Sequence, residues 1–129
     1  MKTIIVTGAS TGIGKSIAQL FLEKGYNVVI NSANLQNLET TFKELGHVNQ
    51  LAMVHGDVSR IATGKELVQT ALYRFGSVDV LVNNAGIFQP QSFLDVEEQD
   101  LDRFLNINLK GTYFTSQAAV KQMLQQGEG

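Results

Sequence analysis

Short apolar runs alternate along the chain with stretches that are apolar on one side only. Ile4 to Val6 reads as a first strand, and Gly14 to Lys24 predicts a helix with Ile17, Ala18, Phe21 and Leu22 on one side. Gly25 is a stop signal, and Tyr26 to Ile30 follows as a second strand. Leu35 to Leu45 predicts a helix ended by Gly46, Leu51 to Val54 a strand, and Ile61 to Phe75 a helix closed by Gly76. Val78 to Val82 is a fourth strand. A loop around Pro90 leads to a short helix, Glu97 to Leu105, and a long one, Ile107 to Gln126. Strands that are apolar at nearly every position belong to a parallel sheet covered on both faces. The pattern therefore predicts one α/β domain over residues 1–129, a doubly wound parallel sheet of about four strands. Met53 and Met123 read as core filler.

Composition narrows the function classes. At 129 residues the chain has room for one domain with a real core. Hydrophobic residues make up 43% and charged ones 17%, which is globular composition. A net charge of -2 gives no electrostatic footprint for nucleic acid or an anionic membrane. There is no cysteine, so disulfides, thiolate metal sites and thiol nucleophiles are excluded. His47 and His55 are the only histidines and share no motif, so no metal site is expected. His55, at a strand end, reads as packed or solvated rather than as a ligand. The first residues already form a strand pattern, and no apolar run approaches membrane-spanning length, so a cytoplasmic protein is expected.

The chemistry is concentrated where strands end. The first strand passes directly into Gly8-Ala9-Ser10-Thr11-Gly12-Ile13-Gly14 and a helix. Gly8 allows a tight turn, Gly12 keeps side chains away from a ligand, and Gly14 lets helix and strand pack closely. The helix start offers unpaired N–H groups and a positive dipole end to a pyrophosphate, so the segment points to a dinucleotide. The four strand ends read Thr7-Gly8, Asn31-Ser32, Gly56-Asp57 and Asn83-Asn84. In a parallel sheet these lie along one edge, the edge where open α/β sheets bind ligands. Turn-forming residues also end strands for purely local reasons. Asp57 can alternatively cap the helix that follows Ser59, and Asn83-Asn84 can serve as turn residues.

Thr7-Gly8-Ala9-Ser10-Thr11-Gly12-Ile13-Gly14, together with Asn83-Asn84-Ala85-Gly86, resembles the short-chain dehydrogenase/reductase family. Asp57-Val58 and Asn108-Leu109-Lys110-Gly111 extend the likeness through the whole chain. The resemblance implies a Rossmann-type fold in which Gly8, Ser10, Thr11, Gly12, Ile13 and Gly14 surround the adenosine ribose and pyrophosphate. It implies that Asp57 accepts a hydrogen bond from the adenine amino group, with the Val58 backbone beside it. Asn83, Ala85 and Gly86 would line the cofactor and brace the sheet. Asn108 matches the family's active-site asparagine, which shapes the long helix and holds a water in the proton relay.

Other expectations follow from the same likeness. The family's Ser and Tyr-x-x-x-Lys lie beyond the long helix, whereas Tyr26, Tyr73 and Tyr113 are followed four residues on by Ile30, Ser77 and Gln117. The lysine lowers the tyrosine pKa so that the phenol can pass a proton as hydride moves. The chain ends at Gly129, where a fifth strand is expected, so it reads as the cofactor-binding portion, truncated on its C-terminal side. The second strand ends in Asn31-Ser32-Ala33-Asn34, with neither an acid for the NAD ribose nor an arginine for the NADP phosphate. Nothing there repels a 2′-phosphate, and Ser32 and Asn34 can donate to it, which favours NADP over NAD. Two functions stay open: part of an oxidoreductase acting on a small carbonyl or alcohol, or an inactive nucleotide-binding or interaction module. Apolar residues on several sides of the Ile107–Gln126 helix, and an open Val78–Val82 edge, predict a homo-oligomer.

Overall fold

The computed structural model describes residues 1–129. Strands β1 (Thr3–Val6), β2 (Asn27–Ser32), β3 (Leu51–His55) and β4 (Val80–Val82) form one parallel sheet in the order β3-β2-β1-β4. Helices α1 (Gly12–Glu23), α2 (Leu35–Leu45) and α3 (Ile61–Phe75) connect them. Consecutive residues of β1 face opposite cores, as a pleat requires. Ile4 and Val6 join Val28, Ile30 and Leu51 under Ala18, Leu22 and Leu38 of α1 and α2. Ile5 joins Val29, Ala52 and Val54 under Leu67 and Ala71 of α3 and Ala119 further on. Both faces are covered, and the expected doubly wound sheet is present.

The register aligns the strand ends. Val6 pairs with Ile30 on one side and Val82 on the other, and Ser32 pairs with His55. Thr7, Asn31 and Asn83 therefore stand level along one edge, with Gly56 just past the end of β3. Thr7 extends that alignment past the last strand pair. Its N–H donates to the Val82 carbonyl at 3.1 Å, while its hydroxyl accepts from the N–H groups of Asn84 at 3.1 Å and Ala85 at 3.0 Å.

Several boundaries differ from those expected. β4 begins at Val80 rather than Val78, because the preceding backbone is held by side chains. Gln126 accepts from the Val78 N–H at 3.2 Å and donates to its carbonyl at 2.6 Å. The Asp79 carboxylate accepts from the Thr3 N–H at 2.7 Å and the Ser77 hydroxyl at 2.6 Å. Tyr26 lies outside β2, edge-on to Phe21 at 4.8 Å between ring centres. β2 instead runs on to Ser32, because Asn31 and Ser32 still find partners in β3. Met53 is not core filler: it is 37% exposed on β3 at the sheet margin. Met123 does pack against the second core. No helix is long and apolar enough to cross a membrane.

The largest difference lies in the last helices. α4 (Glu98–Leu105) and α5 (Thr112–Gln126) are joined without a break by a π-helical turn, Asn106–Gly111. Such a turn inserts an extra residue into the helical ladder and re-aims the side chains around it. It ends at Gly111, where a Cβ would stand 2.7 Å from Val58 Cγ2 and 3.1 Å from the Val58 carbonyl carbon and oxygen. One turn further, Thr115 packs its backbone onto α3, where a Cβ at Gly64 would come within 3.1 Å of Thr115 Cα. Two glycines on different helices thus bring α5 against α3 and against the loop after β3.

Two stability measurements follow. Gly111→Val should cost about 2–3 kcal/mol in urea unfolding through overpacking against Val58, and Gly111→Ala less, because helix propensity offsets about 1 kcal/mol. Thr7→Val keeps shape but leaves the Ala85 N–H without its acceptor and the Asn84 N–H with only the Val82 carbonyl. It should cost about 1–3 kcal/mol, with Thr7→Ser close to wild type. A neutral Thr7→Val would show that the hydroxyl does not hold β4 to β1.

Candidate functional site

Gly8 turns the chain off β1 with φ of +62°, and a Cβ there would lie 2.8 Å from Ala85 Cα. The loop is thus pressed against the end of β4, and only hydrogen fits between them. The Asn84 side chain donates to the Gly8 carbonyl at 2.9 Å. A Cβ at Gly14 would collide with that amide and stand 2.5 Å from the Gly8 carbonyl oxygen, so Gly14 is a packing glycine. Gly12 differs. Its φ is +56°, yet a Cβ there would have no protein atom within 4 Å. The backbone at Gly12 is bare on its outer side and begins α1. Thr11, the cap position, makes no side-chain cap, and no acidic residue occupies the first turn. The first N–H groups of α1 are therefore left for an anion.

The loop is braced from behind by hydroxyls. Ser10 Oγ donates to Ser32 Oγ at 3.0 Å, Ser32 Oγ also accepts from the Asn34 N–H at 3.0 Å, and Thr41 donates to the Ser10 carbonyl at 2.6 Å. Ser10 and Ser32 are both buried, so their hydroxyls position the loop and strand end. Asn34 Oδ1 caps α2 through the Asn37 N–H at 2.9 Å. Asn31, 1% exposed, donates from Nδ2 to the carbonyls of Val54 and Gly56, both at 3.0 Å. It ties the end of β2 to the turn that carries Asp57.

Asp57 itself is half-buried. Its Oδ1 accepts from the Ser59 N–H at 2.8 Å, and its carbonyl accepts from the Thr63 hydroxyl at 2.7 Å. The carboxylate closes the turn ahead of α3 without being the cap itself, which is Arg60. Oδ2 is the oxygen left to meet a ligand.

A cavity of about 260 Å³ opens above the strand ends. Of the expected site residues, Gly8, Asp57, Val58, Ala85 and Gly86 line it. Thr11, Gly12 and Ile13 are exposed at the start of α1, and Ile13 is 74% exposed. Asn83 does not line this cavity. Its side chain donates to Ser116 Oγ of α5 at 2.9 Å, and the neighbouring Asn84 is the one that grips the glycine loop. Asn108 does not line it either. Its Oδ1 accepts from the Ile87 N–H and its Nδ2 donates to the Ile87 carbonyl, both at 2.8 Å. This double bond pins the π-helical turn to the chain leaving β4, and a Cβ at Gly86 would come 3.2 Å from Asn108 Oδ1. His55 is exposed and its ring nitrogen bonds the Ala33 carbonyl at 3.1 Å.

The cavity also includes residues that the sequence did not single out for a site: Ala33, Ile87, Arg103 and Ile107. Ala33 follows a strand end already marked by polar residues. Arg103 and Ile107 had no such signal, because their direction depends on where the π-helical turn falls.

Residues 2–129 match the family model described as short chain dehydrogenase. The chain is 43% identical over 128 residues to a diacetyl reductase [(S)-acetoin forming] of Staphylococcus epidermidis, covering 97% of this chain and 49% of that protein. It is 42% identical to an L-rhamnose 1-dehydrogenase (NAD(P)(+)) of Sphingomonas, covering 99% of this chain and 51% of the relative. The crystal structure of a 3-ketoacyl-(acyl-carrier-protein) reductase from Brucella melitensis complexed with NADH superposes with a TM-score of 0.91 at 34% identity, over 98% of this chain and 51% of that one. The chain spans about half the length of the curated relatives it matches. A parallel sheet in the order β3-β2-β1-β4, with the glycine loop and the Asn84-Ala85-Gly86 turn locked together at its edge, accounts physically for that likeness. The chain belongs to the short-chain dehydrogenase/reductase family, a family of oxidoreductases with a Rossmann-type fold.

Proposed function

We propose that residues 1–129 hold the dinucleotide of an NAD(P)(H)-dependent oxidoreductase that acts on a small carbonyl or alcohol. The observation that carries this reading is the uncapped start of α1 beside the bare backbone of Gly12, next to a cavity lined by Gly8, Asp57, Ala85 and Gly86. Gly8, Gly12 and Gly14 set the backbone, and the N–H groups around Gly12 and Ile13 receive the pyrophosphate. Ser10 and Ser32 keep that backbone in place from behind. Asp57 Oδ2 accepts from the adenine amino group, with Val58 beside it. The nicotinamide, when bound, supplies hydride chemistry.

Asn108 acts by position. Its amide holds Ile87, and with it the Gly86 backbone, at one wall of the cavity. Any water of the proton relay must use its remaining Nδ2 proton, its second Oδ1 lone pair or nearby backbone. Asn83 braces β4 against α5 through Ser116.

NADP is favoured over NAD because Asn31-Ser32-Ala33-Asn34 carries no carboxylate to repel a 2′-phosphate. Ser32 is turned inward, so the exposed Asn34 amide is the donor left there. The relatives named above include one designated for both cofactors and one solved with NADH, so the preference is set by this chain's own strand end.

Calorimetry tests this reading. The chain should bind NADPH more tightly than NADH, and Asp57→Ala should lose about 1 kcal/mol with either. Gly12→Val should abolish binding, with thermal unfolding run alongside because φ at Gly12 is positive. Equal binding by wild type and Gly12→Val would reduce the loop to a structural turn. Tighter binding of NADH would reverse the cofactor preference. No tyrosine in residues 1–129 has a lysine four positions on, so this chain should oxidise no NADPH with carbonyl substrates above background.

We also propose that a second copy of the chain covers α5. Tyr113, Val120 and Leu124 along its outer side, and Leu109 in the π-helical turn before it, are 49–77% exposed, and β4 lies at one end of the sheet. Light scattering at micromolar concentration should give at least a dimer. A monodisperse monomer would reject this assignment.

A further inference from the structure

Two charged residues line the cavity: Asp57, after β3, and Arg103, in the last turn of α4. They are not an ion pair, since the single salt bridge of the structure joins Lys15 to Glu44. The one hydrogen bond of the Arg103 guanidinium goes to Gln89 Oε1 at 3.4 Å, at the weak end of the useful range. The apolar part of the lining includes Ile107, a turn further along the continuous helix, with Ala33 and Val58 from the strand ends, beside the polar Asn31 and the backbone of Gly56. Arg103 is exposed, so water serves its charge in the free protein, and no carboxylate holds the guanidinium in place. It is well placed for a flat, electron-rich ligand surface.

The aim of Arg103 is not left to a mobile loop. α4 continues without a break into the π-helical turn, and Asn108 fastens that turn to Ile87 by two hydrogen bonds of 2.8 Å. Gly111 seats the end of the turn on Val58, a residue that also lines the cavity. The helix bearing Arg103 is therefore referenced to both sides of the cavity, and only the side chain is free to swing. A planar guanidinium stacks on aromatic faces and on nucleobases, which a lysine ammonium does not reproduce.

We propose that Arg103 is a binding residue for the adenine base. Its guanidinium leaves Gln89 and stacks on the base, while Ile107 supplies the apolar part of the same wall. This rests on the reading that Asp57 receives the adenine amino group. It adds a second contact from a different element and makes adenine recognition depend on the position of α4.

The test is calorimetric titration of the chain with ADP, for wild type, Arg103→Ala and Arg103→Lys, at low and at high ionic strength. Arg103 is exposed, so both variants should unfold at the wild-type temperature. Arg103→Ala should bind ADP about five- to twentyfold more weakly, by a similar factor at both ionic strengths, and Arg103→Lys should recover only part of the loss. Unchanged ADP affinity in Arg103→Ala would overturn the proposal while leaving the dinucleotide reading intact. A loss that disappears at high salt, or full rescue by lysine, would also overturn it, by making Arg103 a point charge for phosphate. If wild type binds no ADP under any of these conditions, the dinucleotide reading itself fails, and this assignment fails with it.

Discussion

Gly8 and Ala85 approach so closely that a single methyl group would separate them, and the site is assembled around that contact. β1 and β4 are adjacent in the sheet, but Val6 and its partner Val82 lie far apart in the sequence, so the approach is a long-range one. The Thr7 hydroxyl and the Asn84 amide span the same junction in opposite directions. Thr7 accepts from the backbone of Asn84 and Ala85, and Asn84 donates to the backbone of Gly8. Loosening this joint would move the glycine loop relative to Ala85 and Gly86, and so change the width of the cavity between them.

A second chain of contacts brings the other wall into place. Asn31 ties β2 to the turn carrying Asp57, Thr63 holds the Asp57 carbonyl, and Gly111 lets the helix after the π-turn rest on Val58. Asn108 then links that helix back to Ile87, immediately after the Gly86 that follows the first joint. The cavity is thus enclosed by a loop of short polar and backbone contacts rather than by large side chains. Small residues recur there because each marks a place where two backbones, or a backbone and a ligand, meet directly.

Polar groups near the site divide into those that build it and those left over for chemistry. Ser10, Ser32, Asn31 and Thr41 are buried and bonded to protein, which explains why a strand end rich in hydroxyls and amides offers few of them to a ligand. The N–H groups opening α1, the second oxygen of Asp57 and the guanidinium of Arg103 remain. Each is charged or lies at a helix end, where an unpaired group can be kept in water without large cost.

Strands and the first three helices were legible in the sequence because they follow local rules. Continuous apolar runs of β-branched residues need cover on both sides, and stretches ending at Gly25, Gly46 and Gly76 stop where a positive φ is required. The glycine loop and Asp57 were legible for a related reason, since a turn without side chains between strand and helix admits few uses. The division of labour between Asn83 and Asn84 was not, nor was the inward turn of Ser32, because both depend on which neighbour from a distant element lies within hydrogen-bonding distance. The π-helical turn at Asn106–Gly111 leaves no mark in the apolar spacing, and it decides where Asn108, Ile107 and Arg103 point. Local propensity sets which elements form, but the rotation of one element against another is set by close contacts such as Gly111 on Val58, which exist only once the chain has folded.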